Sequence, residues 1–253
     1  METLVFQLHG PMSSWGEPAV GEFRGTAEWA SSSALIGLLG AALGVLREDE
    51  TAHAALRDGL GFAVGLLSGG SLLRDYHTAQ VPPRGAMKGR PHATRRHELL
   101  VPKADLSTIL STRDYRQNAA CLVAVQTRTL SNAPSLSELA SALREPKFLL
   151  YLGRKACAPA APLWPQLIAA VSAQAAFGSY RERFESARNK AADSRGRVPL
   201  EGLPVLTRIA FDDHVTAGVP ADITTTRKDR VIRRKGWQFG DRVEHVALLA
   251  EQA

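Results

Sequence analysis

Two periodicities of apolar residues divide the start of the chain into a strand and a helix. Apolar residues at every second position over residues 4–8 predict a strand, which Gly10 and Pro11 end. From residue 35 to residue 46, apolar residues recur three and four positions apart, and serines at 31–33 precede them. This spacing predicts a helix with a buried face, capped by one of those serines.

A short helix and two strands are predicted next. The helix lies around residues 51–60, and two apolar runs follow at 62–67 and 71–76. Gly69 and Gly70 separate the two runs. Glycine pairs typically mark the turn between two strands, so we interpret both runs as strands.

Regular patterns return near residue 119. A valine-rich apolar run over residues 119–125 predicts a central strand. Ser135 and Glu138 have the spacing of a capping box and predict a helix that Pro146 ends. Residues 148–152 form a further candidate strand.

The order of these elements predicts an α+β fold. Strand, helix, strands, insertion, strand, helix and strand is the order of a ferredoxin-like (RRM-like) domain, and other topologies stay open at this stage. Beyond residue 159 the patterns predict a helix at 167–177 and short strands at 205–211 and 243–249. No internal repeat is present.

Residues 77–113 differ in composition from the segments on either side. They contain several prolines, glycines and cations, and few large apolar residues before positions 99–101. Such a segment cannot build a core of its own. We therefore expect an insertion that projects from the main domain as a β-hairpin and is mobile unless a partner orders it.

Composition and charge narrow the class of protein. The 253 residues are 45% hydrophobic and 22% charged, which suits one large domain or two small ones and excludes a disordered chain. No apolar run is long enough to span a bilayer, and the N-terminus does not resemble a secretory signal, so we expect a cytoplasmic protein without a membrane partner. Two cysteines are too few for a disulfide framework. The formal charge of +6 favours an acidic partner.

Motifs for catalysis and cofactors are absent from the sequence. No phosphate-binding loop and no nucleophile elbow occur, and His92 and His97 have no carboxylate or thiol companions at zinc-like spacing. We therefore expect no cofactor and no metal. His9, Tyr76, His77 and Lys88 could in principle cleave RNA by acid–base chemistry without a metal, but residues of these types occur in any chain.

The insertion carries the basic cluster that is most indicative of a function. Its cations are Arg84, Lys88, Arg90, Arg95 and Arg96. No acidic residue lies among them, so their charges are not neutralised locally. This favours a role in contacting the phosphates of a nucleic acid.

Two further basic clusters lie near the C-terminus. The first consists of Arg181, Arg183, Arg188, Lys190, Arg195 and Arg197, interleaved with Glu182, Glu185 and Asp193. The second consists of Arg227, Lys228, Arg230, Arg233, Arg234 and Lys235, contains only Asp229, and precedes Trp237 and Phe239. The first is typical of a solvated charged helix. The second suits either phosphate contact or a protein interface.

A strand-end loop and a helix start offer backbone amides to an anion. Arg154 and Lys155 follow Gly153 after the candidate strand at 148–152. The helix that starts near Ser33 has unpaired amides and the positive end of a helix dipole. Both places could hold a phosphate, although a solvated helix cap is the ordinary alternative.

Several blocks of the sequence, in order, resemble the CasD family of type I-E CRISPR systems. They are 8–16 (LHGPMSSWG), 33–44 (SALIGLLGAALG), 74–78 (RDYHT), 112–119 (TRDYRQNA), 151–157 (YLGRKAC) and 161–163 (APL). Each block is weak evidence alone, but the ordered set is specific. It covers about the first two-thirds of the chain.

The resemblance implies a division of the chain and a set of RNA contacts. The family has a ferredoxin-like palm with a thumb, which here implies a palm at 1–76 and 114–165, a thumb at 77–113 and an extension at 166–253. The RNA-binding residues we expect are Ser33, Arg84, Lys88, Arg90, Arg95, Arg96, Arg154 and Lys155.

The resemblance also implies partners. In the family this subunit holds the 5′ handle of the CRISPR RNA (crRNA), caps the CasC backbone, adjoins the large subunit CasA and leaves RNA processing to CasE, so no catalysis is expected. Target DNA would be met through the complex. Two alternatives stay open: a metal-independent endoribonuclease that processes precursor crRNA, with Tyr76 and His77 as candidates, and a structural subunit whose basic patches contact acidic protein faces.

Overall fold

The computed structural model of the protein describes residues 1–16, 19, 21–128, 132–198, 202–234 and 236–249. The elements in chain order are β1 (Glu2–His9), β2 (Met12–Ser13), β3 (Phe23–Arg24), α1 (Ser32–Leu43), α2 (Glu50–Gly59), β4 (Leu60–Ser68), β5 (Ser71–Val81), α3 (Arg84–Met87), α4 (Arg95–Glu98), β6 (Ser107–Gln117), β7 (Ala120–Thr127), α5 (Leu136–Arg144), β8 (Gln166–Ala169), α6 (Ala173–Asp193), β9 (Arg208–Asp212), β10 (Ile223–Arg233) and β11 (Gln238–Leu248). The fold is a mixed α+β fold, as predicted, and its strand pairs are antiparallel apart from the parallel pair of β3 and β6.

A seven-stranded sheet organises the chain. Its strand order is β10-β11-β9-β4-β7-β1-β8, and every neighbouring pair is antiparallel. The middle strands β4, β7 and β1 are buried along almost their whole length. Segments from both ends of the chain join this sheet, because β8, β9, β10 and β11 all follow residue 165.

Helices cover both faces of the sheet. Alternate residues of β1 point to opposite faces, so Phe6 packs with α1, α2 and α5 while Val5 packs with α6. Phe177 and Tyr180 of α6 are fully buried on the second face. Burying one such large side chain contributes about 1.5–3 kcal/mol. The two faces therefore hold separate hydrophobic clusters.

A second, smaller sheet is built on a long hairpin. β5 and β6 pair from Ser71 opposite Gln117 to Val81 opposite Ser107. The other edge of β6 pairs with β2 and β3. The ladder runs past residues 77 and 113 without a break, and short helices α3 and α4 lie in the connection. The division of the chain at those two positions stays a prediction.

The local sequence signals for helices are confirmed, although α1 ends earlier than predicted. Ser31 caps α1, and the capping box of Ser135 and Glu138 opens α5. The helix predicted to run to residue 46 ends at Leu43, because Gly44 adopts φ 78° and forms the C-cap. None of the helices in the described ranges is long and apolar enough to cross a membrane.

Two predictions after Pro146 were wrong. Residues 148–152 are not a strand: the amides of Lys147 and Phe148 bond the last carbonyls of α1, at 3.0 and 3.1 Å, and Leu149 is 91% exposed. The helix predicted at 167–177 is instead strand β8 followed by α6, which Ser172 caps. A short apolar run does not distinguish a strand from a helix. For residues 166–169, pairing with β1 determines that the segment is a strand.

Candidate nucleic-acid interface

A groove of about 650 Å³ lies between three segments that are distant in sequence. One wall is helix α1, the second is the loop at 148–155, and the third is the tip of the β10–β11 hairpin. Its cations are Arg47, Lys155 and Arg234, and its aromatic residues are Phe148, Tyr151, Trp237 and Phe239. No Asp or Glu occurs among the described residues that line it. The groove therefore combines a positive charge with apolar and aromatic walls.

Gly153 fixes the loop that forms the second wall. Its φ is +86°, and a Cβ at this position would lie 1.8 Å from the carbonyl oxygen of Ser14. The amide of Ser14 donates to the Leu152 carbonyl at 3.0 Å, and the Leu152 amide donates to the Cys157 carbonyl at 2.7 Å. Only glycine allows this approach. Burial raises the pKa of the Cys157 thiol, so it stays protonated.

The structure separates Arg154 from Lys155. Lys155 is exposed and lines the groove. Arg154 instead packs over the ring of Tyr115 on β6, with Cζ 4.7 Å from the ring centroid, and donates to the Arg24 carbonyl at 3.3 Å. The two predicted contacts thus lie on different surfaces, one in the groove and one at the base of the β5–β6 hairpin.

The start of α1 has fewer open amides than the sequence predicts. The Ser31 hydroxyl accepts from the Ala34 amide at 3.2 Å, and the Asp229 carboxylate accepts from the Ser32 amide at 3.0 Å. Ser33 lines the groove, and its hydroxyl is bonded to that of Ser31 at 3.0 Å. Asp229 also partly neutralises the helix dipole. Ser33 as an RNA contact stays a prediction on weaker grounds.

The cations of the insertion surround the far end of the β5–β6 hairpin. Arg84, Lys88, Arg90, Arg95 and Arg96 are all exposed. Two of them have partners: Arg90 donates to the Leu100 carbonyl at 2.6 Å, and Arg95 pairs with Glu98 at 2.6 Å. Within the described part of the chain, no hydrogen bond or ion pair involves the side chains of the other three, although the Lys88 amide donates to the Gly85 carbonyl at 3.3 Å. The 11 residues of β5 span on the order of 35 Å, so this cluster and the groove are separate surfaces.

Internal ion pairs involve part of the second C-terminal basic cluster, the one at residues 227–235, together with Arg242. Arg242 contacts Asp212 at 2.5 Å, Asp229 at 2.8 Å and Glu244 at 2.7 Å. Arg227 contacts Glu244 at 3.3 Å. All five side chains are at most 12% exposed. Arg227 is therefore a structural residue, and Lys235 lies outside the described residues.

Burial and ion pairing shift the two aspartates of this network in opposite directions. Burial would raise the pKa of Asp229, but hydrogen bonds from Arg242 and the positive charges around it hold that pKa below its ordinary value. Burial dominates at Asp212 and raises its pKa despite the same arginine. The network is thus tightly coupled, and Arg242 is its centre.

Tyr76 and His77, the first candidates for acid–base chemistry, do not face a common site. Tyr76 and His77 are neighbours on β5, so their side chains project from opposite faces of the hairpin. The nearest acidic group to His77 is Asp75, at 3.7 Å. No group of three or more metal-ligating side chains occurs in the residues that the structure describes.

Arg47 and His53 are groove residues that the sequence did not indicate. Arg47 places Cζ 4.4 Å from the ring centroid of Trp237. The Trp237-x-Phe239 pattern after a run of cations was a usable signal for one half of this contact. Nothing in the local sequence indicates that Trp237 lies against Arg47, in the segment between α1 and α2.

Comparisons with known proteins agree with this architecture. The chain is 33% identical over 185 residues to the CRISPR system Cascade subunit CasD of Escherichia coli (strain K12), covering 70% of this chain and 76% of that protein. Two solved structures, titled "CRISPR RNA-guided surveillance complex" and "Crystal structure of Cas protein", share its fold. Both have a TM-score of 0.60, at 24% and 23% identity; the first match covers 97% of this chain and 89% of the other, and the second 99% and 96%.

A match to a protein-family model identifies the family of the chain. The model described as CRISPR-associated protein (Cas_Cas5) matches residues 3–240, which is nearly the whole chain. The resemblance to CasD seen in the sequence is confirmed by the identity to the Escherichia coli protein. The chain therefore belongs to the Cas_Cas5 family of CRISPR-associated proteins.

Proposed function

We propose that the protein is a non-catalytic subunit of a type I-E Cascade complex that binds the 5′ handle of the crRNA. In this role it caps the CasC backbone and adjoins the large subunit CasA, in support of crRNA-guided DNA recognition in antiviral defence. The observation that carries the proposal is the 33% identity to a protein named as a Cascade subunit. The exposed cations and the acid-free groove are consistent with an RNA partner.

The strand order supports a ferredoxin-like palm. In β1-α1-β4 the two strands are separated in the sheet by β7, and in β7-α5-β8 they are separated by β1. Each βαβ unit is thus split by a strand of the other, which is the ferredoxin-like arrangement. The β5–β6 hairpin stands where the thumb is expected, and β9, β10 and β11 make the segment after residue 165 rich in strands.

The mechanism we propose divides two tasks between two surfaces. Lys155 and the backbone of its loop hold handle phosphates in the groove, while Arg154 supports the base of the thumb. The thumb cations Arg84, Lys88 and Arg96 contact the strand where the handle meets the guide. Phosphate contacts position the RNA, and sequence recognition is left to base pairing by the guide.

A gel assay in EDTA tests binding and cleavage together. Labelled handle-containing RNA is mixed with the purified full-length protein, alone and with the proteins encoded beside it. We expect intact, retained RNA. Sequence-specific products that vanish in His77→Ala would overturn the non-catalytic role and establish the ribonuclease.

Charge-reversal variants test which surface is used. Reversing Lys155 and Arg96 is expected to weaken RNA retention. The control reverses Lys190 and Arg195, which belong to α6 and the turn after it, on the opposite face of the sheet from the groove. Both double variants change the net charge equally. An equal loss of RNA retention in both would show that only the overall charge matters and would contradict the assigned surfaces.

A further inference from the structure

One end of the groove carries an aromatic side chain in an unusual setting. Trp237 follows Gly236 at the tip of the β10–β11 hairpin, both with positive φ (52° and 81°), and Trp237 is 51% exposed. Its ring has Arg47 at 4.4 Å, Arg234 at 5.6 Å and the ring of Phe239 at 6.3 Å, nearly parallel. The turn therefore holds an exposed indole among two cations and a second ring.

Arg234 is a buried cation whose only carboxylate contact in the described residues is made by its backbone, where the amide donates to Glu50 at 3.2 Å. It is 8% exposed, and no ion pair involves it in the described residues. Its side chain donates one hydrogen bond, to the Ser33 carbonyl at 3.4 Å, and its Nε has no partner. Burial lowers its pKa below the ordinary value for arginine. The charge of Glu50 offsets this burial only in part, and an incompletely compensated buried charge favours an anionic ligand at this place.

Helix α1 is shaped to admit this arginine. A Cβ on Gly37 would lie 3.3 Å from the Nη2 atom of Arg234, so glycine gives the guanidinium room against the helix. His53 lies on the same wall of the groove and is also 8% exposed. Burial, then the charge of Arg234, lowers its pKa, so the imidazole stays neutral at pH 7. The positive charge at this end therefore comes from Arg47 and Arg234.

We propose that this end of the groove is a subsite for one unpaired nucleotide, whose base stacks on Trp237 and whose phosphate is held by Arg234 and Arg47. The site rests on the proposed RNA-binding function and names the part of the RNA it takes. Bases stack on aromatic rings and arginine planes irrespective of sequence. A nucleotide offers a partner to each feature of the groove: its base stacks on the aromatic ring, and its phosphate carries the negative charge that the arginines attract.

A protein side chain is the competing occupant. Leu46 and Leu149 are exposed at the groove by 61% and 91%, and an apolar residue of another subunit could cover them. The cations decide against this choice. Arg47, Lys155 and Arg234 all line the groove, and an apolar partner would leave them without counter-charge.

An abasic scan of the handle tests the subsite. Each nucleotide of a handle RNA is replaced in turn by an abasic unit, which keeps the phosphate and removes the base, and the dissociation constant is measured with the full-length protein. We expect one position at which loss of the base weakens binding about 5- to 150-fold, the range for stacking a single base. In Trp237→Ala that position is expected to lose its effect. Wild-type tryptophan fluorescence is expected to be quenched by the intact RNA and much less by the RNA abasic at that position.

Phe23→Ala is the matched control. Phe23 is 49% exposed and has Arg74 at 5.3 Å, but it does not line the groove. This variant should keep the position-specific loss. The unfolding temperatures of both variants are compared with that of the wild type, and Trp237→Phe, which retains an aromatic plane, should restore the abasic effect.

The outcomes separate the two proposals. If the protein and its complex have no affinity for handle RNA, the proposed function is wrong. If RNA binds but the scan is flat, or Trp237→Ala retains the sensitive position, the nucleotide subsite is wrong and the RNA-binding function stands. If Trp237→Ala impairs only assembly with the other subunits, the groove end is a protein contact.

Discussion

Two hairpins of equal strand length use their arginines in opposite ways. β5, β6, β10 and β11 each have 11 residues, and both hairpins carry several cations. In β10–β11, Arg227 and Arg242 are buried against Asp212, Asp229 and Glu244. The β5–β6 connection instead leaves Arg84, Lys88 and Arg96 exposed and without partners in the described chain.

The difference lies in what each hairpin packs against. Asp229 of β10 accepts from the first turn of α1, and Arg57 of α2 donates to the Ile232 carbonyl at 2.8 Å. The C-terminal hairpin thus lies on two helices, and the arginines that it buries along its strands, Arg227 and Arg242, are compensated by carboxylates within the fold. The β5–β6 connection has no such cover, so its charges remain in water and are available to phosphates. A basic run in a sequence therefore indicates nucleic-acid binding only where the fold leaves it unpaired.

Removing the central arginine of the buried network should have the largest effect on stability. Arg242→Met leaves three buried carboxylates without their main cation, so the free energy of unfolding should fall by about 3–5 kcal/mol. Chemical denaturation measures this change. Lys228→Ala, an exposed residue on β10, is the control and should stay within about 0.5 kcal/mol of the wild type. A loss below about 1 kcal/mol in Arg242→Met would show that the network is not structural.

Adding a methyl group at Gly153 should come next. The positive φ alone costs about 1–2 kcal/mol, and the contact with the Ser14 carbonyl adds to it. Gly89 in the β5–β6 connection has φ +73° with open space around it, so Gly89→Ala isolates the cost of the backbone conformation. Denaturation should show the larger loss for Gly153→Ala. Equal losses would mean that the loop moves away from Ser14 without cost.

Neutralising the exposed cations of the β5–β6 connection should affect RNA binding and leave stability unchanged. In the triple variant Arg84→Gln, Lys88→Gln and Arg96→Gln, the unfolding free energy should stay within about 0.5 kcal/mol. The slope of log affinity against log salt should decrease by about 2, at about 0.7 per contact for a single strand. A salt titration of RNA affinity measures it. An unchanged slope would remove these residues from the RNA interface.

The smallest effect is expected at the base of the β5–β6 hairpin, as a pH dependence of stability. A hydrogen bond from Arg74 holds the pKa of Asp114 below its ordinary value. The ionised pair therefore stabilises the fold above the unfolded pKa of about 3.9, and this contribution is lost as the pH falls through the folded pKa. Unfolding temperatures measured from pH 7 down to pH 2 should fall less steeply for Arg74→Gln than for the wild type. Identical curves would show that the pair is fully screened.

Local signals in the sequence were sufficient for many of the elements. The period of two in β1, the serine cap of α1 and the capping box of α5 depend on neighbouring residues, and the structure confirms each of them. The two wrong assignments, at 148–152 and 167–177, are short apolar runs in which local free energies for strand and helix are similar. In these two segments the conformation was determined by tertiary contacts: the pairing of β8 with β1 and the hydrogen bonds between the loop and α1.

The site divides in the same way between sequence and tertiary structure. The sequence by itself determined the family, the cationic insertion and the presence of Lys155, because these are properties of contiguous residues. Only the tertiary structure decided which cations are neutralised and which face a groove, since Ser32 meets Asp229 across 197 positions and Arg47 meets Trp237 from another element. Charge compensation acts through space over a few ångströms, and the fold alone determines which residues come that close.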